Sequence, residues 1–97
     1  MSVYFDRQGN PIDSMLEHSN LFSDENYRNV GFTPLSNGKL IVTIWTGTDW
    51  DNNTGTEPLI FETVVFDKYG QTTIIGKWAT EKEAKTMHER TITAHAG

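Results

Sequence analysis

The chain has no cysteine, so a disulfide framework, a thiolate metal site and a thiol nucleophile are excluded. No apolar stretch approaches the length of a membrane-spanning helix, and no membrane partner is expected. Its 8 Lys and Arg are scattered, with no basic run, against 13 Asp and Glu. Phosphate backbones are bound by clustered bases, so direct nucleic-acid binding is not expected either. The N-terminus, MSVYFDRQGN, lacks the basic-then-apolar order of a signal peptide. The expectation is a soluble cytoplasmic protein, for which the sequon Asn52-Asn53-Thr54 is idle.

What the chain does have is concentrated in residues 40–67, LIVTIWTGTDWDNNTGTEPLIFETVVFD. Two strongly apolar segments bracket a glycine-punctuated loop. The run contains Asp49, Asp51, Glu57, Glu62 and Asp67 and no Lys or Arg. Outside it 8 acids match 8 bases, so the whole formal charge of −5 lies here, beside Trp45 and Trp50.

At 97 residues only one core can be filled, and a single domain over 1–97 is expected. Residues 3–11 begin extended and turn at Gln8-Gly9-Asn10. Asn10 then Pro11 is a helix-start signal, since Asn caps and Pro suits the first helical position. With Ile12, Met15, Leu16, Ser19 and Phe22 at helical spacing, it predicts a helix over 11–22. Ser23-Asp24-Glu25 ends it or starts a short extra turn.

Residues 27–35 read as an edge strand, because they contain Gly31 and end at Pro34. Asn37-Gly38 marks a hairpin turn into a strand at 39–46. A second strong strand follows at 59–67, then a turn at Lys68-Tyr69-Gly70 and a fourth strand at 71–78. Short connections imply antiparallel pairing. Thr80-Glu81-Lys82-Glu83 is a capping box opening a helix from 81 into the low nineties, with Ala84, Met87, His88, Thr91 and His95 on one stripe. The fold class is therefore α+β: a four-stranded antiparallel sheet flanked by an N-terminal and a C-terminal helix. Both central strands are apolar on both faces. Either each helix covers one face, or both share one face and the other is left as a dimer or partner surface.

Asp49-Trp50-Asp51-Asn52-Asn53-Thr54-Gly55-Thr56-Glu57 has the oxygen-rich look of a calcium loop. The EF-hand template wants glycine sixth and glutamate twelfth, where Thr54 and Ile60 stand, so no metal site is assigned. Glu62 lies mid-strand among apolar neighbours, and His88 on the last helix is placed to meet it as a buried polar pair. Paired carboxylates for glycoside chemistry need a sugar-sized cleft, which a chain this short rarely builds. No serine sits in a nucleophile elbow, and Gly47 and Gly55 bracket acids that repel phosphate. No cofactor is expected. Trp50, between two aspartates in a loop, has the composition of a protein-binding hot spot.

Five segments taken together carry a resemblance: YFDRQGNPI at 4–12, YRNV at 27–30, VTIWTGTD at 42–49, PLIFETVVF at 58–66, and ATEKEA at 79–84 ahead of His88. In this order they resemble small uncharacterised proteins of tailed phages and prophages, mainly of actinobacteria. In that group a His commonly follows the loop Asp, where this chain has Trp50, and a Gly commonly precedes the late His, where it has Met87. The resemblance implies a genomic setting, the host cell cytoplasm, and no activity.

The expected function is a non-enzymatic phage accessory protein that binds a host or phage protein through Asp49, Trp50, Asp51, Asn53 and Glu57, inhibiting a host defence or process. Two alternatives stand beside it. One is a minor virion or structural protein assembling through its sheet face, with a homodimer in view. The other is a small metal-dependent hydrolase using Glu62, Asp49 and His88.

Overall fold

The computed structural model describes residues 4–49 and 57–97. Strands β1 (Tyr4–Phe5) and β2 (Pro11–Ile12) form a small hairpin, followed by helices α1 (Met15–Phe22) and α2 (Glu25–Arg28). Strands β3 (Asn29–Pro34), β4 (Leu40–Trp45), β5 (Phe61–Phe66) and β6 (Thr72–Trp78) make one antiparallel sheet in sequence order, and α3 (Glu81–His95) closes the chain. The architecture is α+β, and no helix of the described residues is long and apolar enough to cross a membrane.

The N-terminal helix starts later than the Asn10-Pro11 signal predicts. Asp6 Oδ1 accepts the backbone N–H groups of Gln8 at 3.0 Å and Asn10 at 2.9 Å, which closes a turn through Gly9 at φ 88°. Once residue 10 is committed to that turn, Pro11-Ile12 runs back along Tyr4-Phe5 and Ile12 is buried. Ser14 caps α1 instead, accepting from Glu17 N–H at 3.3 Å. The later start also rotates the inward face. His18, Leu21 and Phe22 turn inward, whereas Met15 and Leu16 are left 66% and 70% exposed.

The β5–β6 turn repeats the chemistry of the first hairpin. Asp67 Oδ1 accepts from Tyr69 N–H at 2.8 Å and Gln71 N–H at 2.9 Å. The β3–β4 turn also closes on a left-handed glycine, Gly38, the residue such three-residue hairpins require. Asp24 caps α2, and Thr80 caps α3 by accepting Glu83 N–H at 3.1 Å, while the Glu83 carboxylate reaches back one residue beyond the cap and accepts Ala79 N–H at 3.1 Å.

Register decides which face each residue takes. Ile41, Thr43 and Trp45 of β4 and Phe61, Thr63 and Val65 of β5 are buried under α3. Trp45, Ile60, Phe61 and Ala84 form the core, with Phe5, Leu21, Phe22, Tyr27, Val30 and Trp78 packed around it. Both long helices therefore serve one face of the sheet, the second of the two arrangements open from sequence. The other face carries three cross-sheet rows: Asn29–Ile44–Glu62–Lys77, Phe32–Val42–Val64–Ile74 and Pro34–Leu40–Phe66–Thr72. None of the described helices lies over it; α2 borders it at the Asn29 end.

Arg7 ties the N-terminal hairpin to both later helices. Its backbone N–H donates to the Tyr27 hydroxyl at 2.9 Å, its guanidinium to Tyr27 O at 2.9 Å, and its Nε to Glu81 Oε1 at 2.7 Å. Lys85 adds a second cation to Glu81 at 3.2 Å. Burial alone would raise the Glu81 pKa, but the hydrogen bonds and charges of Lys85 and Arg7 outweigh it and hold the carboxyl below its usual range.

Candidate functional site

The acidic loop leaves the sheet from a closed base. Thr46 N–H and Gly47 N–H donate to Ile60 O at 2.7 and 3.3 Å, and the Thr46 hydroxyl reaches the same oxygen at 3.0 Å. Phe5 N–H donates to Gly47 O at 2.8 Å, bringing the N-terminal hairpin against the same stem. Asp49 Oδ2 then accepts Leu59 N–H across the loop at 2.8 Å. Asp49 thus pins the two sides of the loop together. Glu57 is exposed, while Trp50, Asp51 and Asn53 lie outside the described residues.

The acids of the 40–67 run accordingly have different uses. Asp49 closes the loop and Asp67 makes a turn. Glu62 is half-buried on the uncovered face, in register with Ile44 and Lys77. Asp51 and Glu57 complete the set.

Glu62 does not meet His88, which corrects the expected pair. Strand alternation puts the Glu62 side chain on one face of the sheet, and α3 brings His88 to the other. His88 is instead bonded to threonines on two neighbouring strands and linked through one of them to a third. Its Nδ1 lies 2.7 Å from Thr43 Oγ1 and its Nε2 2.9 Å from Thr33 Oγ1; Thr43 Oγ1 is 2.6 Å from Thr63 Oγ1. Trp78 Nε1 donates to Thr63 Oγ1 at 3.0 Å. Thr63 Oγ1, accepting from Trp78, keeps a second lone pair as well as its own proton, so the chain Trp78–Thr63–Thr43–His88–Thr33 is complete with either neutral ring tautomer. Among the described residues no buried side-chain nitrogen or oxygen lacks a partner.

Gly31 makes room for this ring. A Cβ at position 31 would lie 2.8 Å from His88 ring atoms. The β3 bulge between Asn29 and Gly31 brings the backbone to that approach. The ring edge borders an open depression of about 280 Å³ lined by Val30, Gly31, Thr33, Lys85, His88 and Glu89.

Desolvation lowers the His88 pKa, with Glu89 partly opposing it. A histidine held neutral in the folded state and free to protonate near pH 6.5 when unfolded binds fewer protons folded than unfolded. Its contribution is complete above the unfolded pKa and lost as pH falls toward the folded one. The melting temperature should therefore drop between pH 7.5 and pH 5.5, and the drop should be smaller in a His88→Gln variant. Equal pH slopes in the two proteins would contradict this assignment.

The sequence did not single out His18. Its ring lies 4.8 Å from Tyr4 and 5.4 Å from Trp45, and Nε2 meets Thr46 O at 2.9 Å. Its spacing of four from Phe22 on α1 was the available signal. Among the described residues no group of three or more His, Asp or Glu is placed to hold a metal ion. Glu62, Asp49 and His88, the trio of the hydrolase alternative, occupy the uncovered face, the loop base and the covered face. No protein-family model matches the chain, and no curated protein or solved structure matches it.

Proposed function

We propose that this chain is a non-enzymatic accessory protein of the phage type that binds a protein partner through the loop at 47–58. The observation that supports the reading is the closed base of that loop, held by Ile60 O on one side and by the Asp49–Leu59 bond across it. Ends fixed in advance reduce the ordering cost of binding, so more of the contact energy appears as affinity. Asp51 and Glu57 give the loop its negative sign, and Trp50 supplies an anchor of the kind that dominates protein interfaces. A basic site on a host or phage protein is the complementary target, and occupying it would block a host defence or host process. Trp50→Ala combined with Asp51→Asn should weaken the complex by at least about tenfold, the loss of one hot spot. The melting temperature should stay unchanged, and wild-type affinity should fall as salt rises. Equal affinity of variant and wild type would sink the reading.

The structural alternative draws on a different observation, the uncovered apolar face of the sheet. That face has consequences of its own.

A further inference from the structure

We infer that the uncovered sheet face is a self-association surface, and that its occupant is a second copy of this chain packed face to face in a two-fold dimer. The middle row Phe32–Val42–Val64–Ile74 is apolar from one sheet edge to the other, and its ends, Phe32 and Ile74, are 60% and 63% exposed. Leu40 and Phe66 extend the apolar area into the next row. A sheet face of this composition is normally covered by another layer.

Charge favours a copy of the same chain over a charged partner. The chain carries −5 overall, yet the ionisable residues within the three rows are one acid and one base, Glu62 and Lys77. A face without net charge neither recruits a basic protein nor repels itself. The two possible two-fold axes can be followed residue by residue. With the axis along the strands, Lys77 faces Asn29 of the second copy and Glu62 faces its Ile44. With the axis across them, Glu62 faces Phe66 and Lys77 faces Thr72. In neither arrangement do like charges meet, while the apolar middle row falls on itself in both. That is the self-complementarity an isologous contact requires.

The area sets the strength. Four strands at about 4.8 Å spacing and six residues at about 3.3 Å give a footprint of roughly 400 Å². Stable interfaces bury about 800 Å² of accessible surface per partner, and lattice-type contacts less than about 400 Å². Corrugation by Phe32 and Ile74 raises the accessible area above the footprint, so the dimer falls between these classes. It should dissociate on dilution through the micromolar range. An aligned sheet sandwich has the matching geometry.

Sedimentation equilibrium on the full chain, from low micromolar to near millimolar, tests this. The wild type should approach twice the 11.0 kDa monomer mass at the upper end. High salt should not dissociate it, because no ion pair holds it. Phe32→Glu with Ile74→Glu, which sets like charges against each other about either axis, should stay monomeric throughout, and since both side chains are largely exposed its melting at low concentration should match wild type. Leu16→Lys, at the exposed apolar site on α1, should dimerise as wild type does. A wild type that is monomeric at every concentration overturns the inference, whether the face is bare or meant for another protein. So does a dimer that survives the Phe32/Ile74 change, or one lost with Leu16→Lys.

Discussion

Replacing Trp45 with alanine should cost about 3–5 kcal/mol and lower the melting temperature by roughly 15–30 °C. Trp45 is fully buried and belongs to the core formed with Ile60, Phe61 and Ala84. It is also where the N-terminal third meets the sheet. Its Nε1 donates to Phe5 O at 3.1 Å, Tyr27 meets its ring edge-on at 4.9 Å, and His18 lies 5.4 Å away. Such packing relaxes only in part when the indole is removed, so a cavity adds to the lost transfer energy. Trp45→Phe keeps most of the apolar area but removes the donor to Phe5, and should lose considerably less. Thermal and denaturant melts of the two variants check the prediction. An alanine variant within 1 kcal/mol of wild type, on the order of one hydrogen bond, would mean that this core does not hold the fold together.

The second large effect concerns the ring under α3. His88→Ala should cost roughly 3–4 kcal/mol, because it opens a cavity and strips partners from Thr43 and Thr33 together. Gly31→Ala should cost about 1–3 kcal/mol by itself, since its new methyl would sit 2.8 Å from the imidazole. The two changes should not add. Once His88 is alanine, the methyl at position 31 enters vacated space and its cost should fall close to zero. A double-mutant cycle measures that coupling, expected at about 1–3 kcal/mol in favour of the double variant. Strict additivity would show that Gly31 has another reason to be glycine.

These two sites also mark how far the sequence could be read. The apolar runs at 39–46 and 59–67, the Asn37-Gly38 turn and the Thr80 cap are local signals, and each has its expected counterpart in β4, β5, the β3–β4 turn and α3. The start of α1 departs from the Asn10-Pro11 signal because a short hairpin competes for the same residues. The Asp6 carboxylate captures Asn10 N–H, and the return of Ile12 against Tyr4 outweighs a capping preference worth about 1 kcal/mol. Glu62 in mid-strand and His88 on the last helix suggest a pair, but nothing in a sequence tells which face of a doubly apolar strand receives the helix. Thr43 and Thr63 read as ordinary strand residues; they meet across β4 and β5, and only the docking of α3 gives Thr43 its bond to His88. The charge accounting located the loop but did not divide its acids by use. Asp49 and Asp67 bind backbone N–H groups that the folded loop base and turn bring to them.

The two proposals assign different surfaces: the apolar sheet face to a second copy and the acidic loop to a different partner. Capture from lysate of a bacterial host separates them in one measurement, using immobilised wild type, the Trp50→Ala/Asp51→Asn variant and the Phe32→Glu/Ile74→Glu variant in parallel. Wild type and the sheet-face variant should retain the same protein, released by raised salt, and the loop variant should lose it. Retention by the loop variant with loss by the sheet-face variant would contradict the account and move partner binding to the sheet.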